Sequence, residues 1–149
     1  MEEQEYKAVY DHIASVRCVF EKALTNNYAG CSCARHFWLA DREGYACKTS
    51  DASAQCSEIL SMLREKSRFV LKIQQAGGPL PHNMELRVQA GGLQGLRSFV
   101  EAGATGRIAD VHALVRRTHE TYSDICSLPF ETIVQSVARF RGRKRKMRD

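Results

Sequence analysis

Cysteine is the residue type whose number and spacing in this chain could do chemistry. Six cysteines are present among 149 residues, and five of them lie between positions 18 and 56. Residues 1–7 are rich in glutamate and do not resemble a signal peptide, so we expect a cytoplasmic protein rather than an exported one. In that reducing compartment, clustered thiols more often bind metals or take part in redox chemistry than form disulfides.

Four of these thiols have a spacing that suits a metal centre. The pattern C-x-C-x13-C-x8-C is formed by Cys31, Cys33, Cys47 and Cys56. Structural zinc sites usually contain two close cysteine pairs, whereas this chain has one close pair with a single residue between its members. Cluster ligands tolerate irregular spacing better, because different iron atoms accept different thiolates. We therefore predict an iron–sulfur cluster of unknown type, with zinc as the alternative metal.

Two further residues are candidates for a role beside these four. Cys18 would replace one of them if the first helix ended near the site, and His36 would act as a nitrogen ligand or as a hydrogen-bonding neighbour of the centre. Two other interpretations stay open. The cysteines would be buried structural thiols, since free cysteine packs as a small hydrophobe, or Cys31 and Cys33 would cycle between dithiol and disulfide. Cys126 stands apart and is expected to be structural only.

Apolar residues recur at helical spacing through most of the chain. We predict helices over 5–24, 34–44, 50–70, 93–100, 110–122 and 130–140, with the segment 28–33 as a loop. The cluster Thr49-Ser50-Asp51 and the single Asp110 are predicted to begin helices, because such side chains cap the first backbone N–H groups. The Gly/Pro-rich segment 74–83 is the clearest break, and the alternation over 84–88 suits either a short strand or the first turn of a helix.

The predicted fold is therefore all-α, with five or six short helices and a cysteine-bearing loop region in a single compact domain. We assign residues 1–140 to this domain, place the cysteine-ligated site within residues 28–56, and expect residues 141–149 to form a disordered basic tail. No apolar run approaches the roughly 20 residues of a membrane span, so we expect no membrane-spanning segment.

The positive charge of the chain is concentrated at its C-terminal end. The formal net charge is +5, yet the last eleven residues carry seven of the 22 basic side chains and one acidic side chain. The seven cations are Arg139, Arg141, Arg143, Lys144, Arg145, Lys146 and Arg148. One interpretation is that this run binds nucleic acid or another polyanion without reading sequence, because basic tails attract phosphates nonspecifically. The other is a solvated terminus that only aids solubility.

The leading functional prediction is a small iron–sulfur protein that acts in electron transfer, as an accessory factor or as a redox sensor, with a redox or acidic protein as partner. One alternative is a helical adaptor or nucleic-acid-associated protein with structural cysteines. Another is a zinc-binding or thiol-redox protein. The glycines of residues 91–95 match neither common phosphate-binding loop pattern. We therefore expect a binding protein rather than an enzyme.

Overall fold

The N-terminal part of the chain contains two helices. A computed structural model describes residues 3–13, 16–72 and 80–141, in which helix α1 (Glu3–Ile13) is followed by the short helix α2 (Glu21–Thr25). The prediction of one continuous helix over 5–24 is wrong. Between the two helices, Arg17 forms an antiparallel bridge with Ala46. The backbone there is extended because it pairs with a strand and so cannot form helical hydrogen bonds.

A β-hairpin follows where a second helix was expected. Strands β1 (Ala34–Leu39) and β2 (Arg42–Cys47) form a two-stranded antiparallel sheet whose register pairs Ala34 with Cys47 and Leu39 with Arg42. The two-residue turn between them places Ala40 at a φ of 55°, in the left-handed region that alanine rarely adopts. The hairpin overturns both the helix predicted over 34–44 and the all-α fold class.

The two faces of the hairpin have different environments. Phe37 and Leu39 point to one face, where they pack with Ala46 and with Tyr6 of α1. Trp38 points to the other face and is 62% exposed. The adjacent aromatic residues 37 and 38 therefore lie on opposite sides of a strand, as the two-residue period of a β-strand requires, and not on one face of a helix.

Helix α3 (Ser50–Ser67) begins where the sequence predicts a helix start. The Thr49 side chain accepts a hydrogen bond from the backbone N–H of Ala52 at 3.1 Å. This bond satisfies one of the free donors of the first turn and fixes Thr49 as the N-cap. The predicted cap cluster is confirmed.

A continuous helical stretch then runs from α4 (His82–Leu86) through a π-helical turn (Arg87–Gly91) into α5 (Gly92–Val100). Both junction residues keep helical dihedral angles, with φ and ψ of −61° and −42° at Leu86 and −63° and −43° at Gly92. The alternating residues 84–88 are therefore helical, which answers the open choice between strand and helix.

A buried polar network ties this stretch to its neighbours. Arg64 of α3 donates two of its nitrogens to the carboxylate of Glu85, which is only 5% exposed. Gln89 in the π-helical turn donates to Glu85 at 3.2 Å and accepts from the backbone N–H of Ala23 at 3.0 Å. The network therefore links α3, α4 and α2.

The C-terminal part contains helices α6 (Val111–Thr121) and α7 (Phe130–Arg139), with a short 3₁₀ helix (Ile125–Ser127) between them. The Asp110 carboxylate accepts from the backbone N–H of His112 at 3.1 Å, which confirms the predicted cap of α6. Helices α3, α5, α6 and α7 supply most of the main core. Its fully buried side chains include Ile59, Leu60, Leu63, Leu93, Leu96, Val115, Ile133 and Val137.

The predicted basic tail falls largely outside the described residues. Arg139 and Arg141 are described and exposed, whereas Arg143, Lys144, Arg145, Lys146 and Arg148 are not. Within residues 3–13, 16–72 and 80–141, no helix combines the length and the apolar character needed to cross a membrane.

Candidate metal centre

Five cysteines line one cavity at the edge of the main core. The cavity has a volume of only about 20 Å³, which is close to the space that one water molecule needs. Its cysteines are Cys18, Cys31, Cys33, Cys47 and Cys56. The rest of its wall is mainly apolar and includes Val19, Phe20, Ala34, Ala52 and Val111. All five cysteines are partly exposed. The structure thus brings together the four predicted ligands and the reserve candidate Cys18.

Pairing of an extended segment with β2 places two of these cysteines. The backbone N–H of Cys18 donates to the carbonyl of Tyr45 at 3.0 Å, and the backbone N–H of Cys47 donates to the carbonyl of Val16 at 2.7 Å. Residues 16–18 therefore run antiparallel to β2 and pair with it through a single bridge. The same pairing holds both Cys18 and Cys47 at the cavity. Cys18 therefore reaches the site because residues 16–18 are extended and not helical.

The loop of residues 28–33 contains the two cysteines that are closest in sequence. Hydrogen bonds to residues 108–110, just before α6, hold this loop in place. The backbone N–H of Gly30 donates to the carbonyl of Ile108 at 2.9 Å. The backbone N–H of Ser32 donates to the carboxylate of Asp110 at 2.9 Å. These bonds join segments nearly 80 residues apart, so the loop has a defined position although its sequence is short and polar.

The other cysteines of the cavity are positioned by the hairpin and by α3. The carbonyl of Cys33 accepts from the backbone N–H of Lys48 at 2.8 Å, which keeps it near the end of β2. Cys56 lies in the second turn of α3, and Ala52 and Ser53, one turn earlier, line the same cavity. Spacings of three and four residues put all three on one helix face.

Backbone donors are directed at the sulfur atoms. The backbone N–H of Phe20 acts to lower the pKa of the Cys18 thiol, and the backbone N–H groups of Cys33 and His112 act to lower the pKa of the Cys31 thiol. His112 lies in the first turn of α6, and the early turns of α3 also face the cavity. Helix N-termini carry a partial positive charge. The backbone N–H groups and the helix N-termini therefore stabilise a thiolate, and burial opposes them.

Burial has the opposite effect on the metal-free thiols. It raises the pKa of Cys18 and that of Cys56 to about 12, and the neighbouring Cys31 adds to both shifts. Burial also raises the pKa of Cys31, against the lowering by its two backbone donors. A thiolate in a poorly solvated site lacks the water that stabilises its charge. These three cysteines are consequently protonated at neutral pH.

The thiols line the cavity without forming a closed set of ligands. Within the described parts of the chain, no three or more His, Cys, Asp or Glu side chains form a group that could hold a metal ion as they stand. The Cys47 thiol donates a hydrogen bond to the carbonyl of Thr49 at 3.1 Å. Side-chain rotation of the cysteines, including loss of this bond, would be needed to close a ligand set.

Two other sequence candidates lie away from the cavity. His36 lies two residue pairs farther along the hairpin than Ala34 and Cys47, and its Nε2 is 3.2 Å from Glu43 while its ring stacks on that of Tyr45 at 4.6 Å. It is not among the residues that line the cavity. Cys126 lies outside the cavity in the 3₁₀ helix before α7, and it is exposed, so it is not the buried structural thiol expected from the sequence.

Sequence reasoning missed the contribution of α6. Asp110 is predicted only as a helix cap, yet its carboxylate also holds the cysteine loop at Ser32. Burial tends to raise the pKa of Asp110, but hydrogen bonds from Ser32 and from the first turn of α6 lower it overall. His112 lines the cavity and acts through its backbone. No local pattern signals either role, because the partners are about 80 residues away in the sequence.

No protein family, curated protein or solved structure matches this chain.

Proposed function

We propose that the chain is a small iron–sulfur protein whose cluster is held by cysteine thiolates in the cavity, and that it acts in electron transfer, as an accessory factor or as a redox sensor. One observation carries the proposal: five cysteines from four separate parts of the fold line a single cavity. Structural thiols serving only as small apolar groups have no reason to collect in this way. Soft thiolates are the usual protein ligands of iron–sulfur clusters.

The spacing of the cysteines favours a cluster over a single zinc ion, because structural zinc sites usually contain two close cysteine pairs and this chain has one. With about 20 Å³ of space in the cavity, either group requires the cysteine side chains to move. Backbone N–H groups directed at sulfur are also a recognised means of tuning a cluster's reduction potential.

The charge state of the thiols argues against a dithiol–disulfide catalyst. A reactive cysteine needs a lowered pKa, because the thiolate is the nucleophile. Cys18, Cys31 and Cys56 instead have raised pKa values. A bound cation would remove this obstacle, since coordination deprotonates a thiol outright. The site therefore suits metal binding better than thiol exchange.

Each part of the wall has a role in this proposal. Thiolates from the loop, from β2 and from α3 would hold the cluster. The N–H groups of Phe20, Cys33 and His112 would stabilise its negative charge, and the apolar side chains would limit access of water. Partial exposure of all five cysteines leaves the centre near the surface, where a redox partner can approach.

The test is metal analysis of protein purified without oxygen. The wild-type chain should be brown and contain iron and acid-labile sulfide. Serine substitution of each predicted ligand should lower both contents, because serine offers a harder and less acidic donor. The substitutions are Cys31→Ser, Cys33→Ser, Cys47→Ser and Cys56→Ser. Cys126→Ser is the matched control, and it should leave both contents unchanged.

A fifth variant tests the place of Cys18. A cluster with four cysteine ligands needs only four of the five thiols, so Cys18→Ser should retain the cluster if Cys18 is the reserve. If Cys18→Ser lost iron and Cys47→Ser retained it, Cys18 would be a ligand and Cys47 would not. Unchanged metal content in all five variants would refute the site. Stoichiometric zinc without iron or sulfide would replace the cluster by the zinc alternative.

A further inference from the structure

A second pocket has the chemistry of an anion-binding site. It lies between the loop that follows α2, helix α5 and the C-terminal end of α7, and its volume is about 250 Å³. Its walls are formed by Tyr28, Gln94, Ser136, Arg139, Phe140 and Arg141. Every polar side chain among them can donate a hydrogen bond, and none is acidic. The pocket is separate from the cysteine cavity.

The two guanidinium groups keep their charge available. Within residues 3–13, 16–72 and 80–141, neither Arg139 nor Arg141 forms an ion pair with a carboxylate. One nitrogen of Arg141 donates to the carbonyls of Ala138 and Phe140, at 3.4 and 3.2 Å. A guanidinium has five N–H donors. Most donors of the pair therefore remain for a ligand.

The folded body holds the pocket in place. Phe140 is only 8% exposed, and its ring meets that of Tyr28 edge to face at a centroid distance of 5.1 Å. Arg87 donates to the carbonyl of Ala138 at 2.8 Å, which anchors the end of α7 to the π-helical turn. The pocket is therefore part of the packed structure, not merely the start of a tail.

We propose that this pocket binds a backbone phosphate of a nucleic acid. Guanidinium, hydroxyl and carboxamide donors around one hollow match the oxygens of a phosphate, and paired arginines bind such groups with directional hydrogen bonds. Five more cations follow Arg141 within seven residues of sequence, from Arg143 to Arg148. Repeated phosphates along one strand would complement this arrangement better than an isolated anion.

The pocket predicts that the cations near the C-terminus contribute unequally to binding affinity. A purely electrostatic tail would give the same loss of affinity for every pair of cations removed. In a formed pocket, Arg139 and Arg141 contribute more to the affinity than two cations later in the sequence. It also gives neutral side chains such as Gln94 a share in binding. This inference is independent of the metal centre.

The first test compares two variants with equal charge loss. Arg139→Gln/Arg141→Gln removes the pocket cations, and Arg145→Gln/Lys146→Gln removes two cations from the sequence beyond. Fluorescence anisotropy with a labelled single-stranded DNA at several salt concentrations measures both affinities. We expect the pocket pair to lose about tenfold more affinity than the matched pair, since it also loses charge-assisted hydrogen bonds. Equal losses would contradict the pocket.

The second test uses a neutral substitution. Gln94→Ala removes one donor without changing charge, and circular dichroism checks that the helices persist. It should weaken DNA binding about threefold while leaving the salt dependence unchanged. No effect of Gln94→Ala on DNA binding would also contradict the pocket. Tighter binding to anionic lipid vesicles than to DNA, with the same order of variants, would reject nucleic acid in favour of a lipid headgroup.

Discussion

Replacing Gly95 by alanine is expected to destabilise the protein, although alanine is the better helix former. A Cβ atom added at Gly95 would lie 2.6 Å from the carbonyl oxygen of Ile133 and 3.1 Å from the Oγ of Ser136. The first distance is well below an ordinary van der Waals contact. Because Ile133 belongs to α7, its backbone cannot move aside without separating α5 from α7.

The size of the effect follows from two opposing contributions. Overpacking of a core costs about 1–3 kcal/mol, whereas glycine-to-alanine in a helix interior contributes about 1 kcal/mol of stability. Since the obstructing atom is backbone, the higher cost applies at Gly95, and the net loss is about 2 kcal/mol. In a chain of this size the melting temperature should fall by about 4–8 °C.

Gly92→Ala is the matched control on the same helix. Its Cβ would also be crowded, but by the side chain of Leu63, with Cδ1 at 2.8 Å and Cδ2 at 3.2 Å. Leu63 is fully buried, yet a side chain can adjust more than backbone can, so this variant should lose clearly less stability than Gly95→Ala. Urea unfolding followed by circular dichroism measures both. If Gly95→Ala were as stable as Gly92→Ala, the close approach of α5 and α7 would not be the reason for the glycine.

Two more predictions concern buried ionisable groups. Glu85→Ala should lower the free energy of unfolding by about 1–3 kcal/mol, because it leaves the buried amide of Gln89 without its partner, whereas the half-exposed Arg64 regains water; Glu85→Gln should cost clearly less, and equal losses in chemical denaturation would discount the network. The metal-free protein should become less stable as the pH rises from about 9 to 12, since the unfolded chain then releases thiol protons that the folded chain retains on Cys18 and Cys56. Urea titrations across this range should show a shallower decline in the Cys18→Ala/Cys56→Ala variant, and an unchanged slope would exclude these thiols as the cause.

The sequence predicted those helices that begin with a cap and present one apolar stripe to the core. Thr49 and Asp110 begin α3 and α6 as expected, and α7 corresponds to the predicted segment within a residue. A short side chain satisfies a free N–H group at the start of α3 and of α6, whereas α7 follows Pro129 without a side-chain cap. In all three helices the residues that follow bury one helix face. Both requirements are local, which is why the sequence alone reveals them.

The hairpin could not be predicted by the same reasoning. Its strands are six residues long and partly exposed on both faces, so neither shows a clean alternation of apolar and polar residues. The turn at Ala40 lacks the Asn-Gly or Asp-Gly pair that usually marks a hairpin. The segment of residues 16–18 is extended only because β2 is beside it, so the missed hairpin also concealed how Cys18 reaches the other thiols.

The bond between Gly30 and Ile108 has a consequence for how this chain can be divided. A fragment that ends near Lys72 would contain all five clustered cysteines, yet it would lack Ile108, Asp110 and the first turn of α6, which position the 28–33 loop. Such a fragment would therefore contain all five cysteines without the residues that arrange them into the site. On this topology, the N-terminal fragment would require its complementary C-terminal fragment to rebuild the cavity, and the two halves of the sequence would be exchanged or inherited only together.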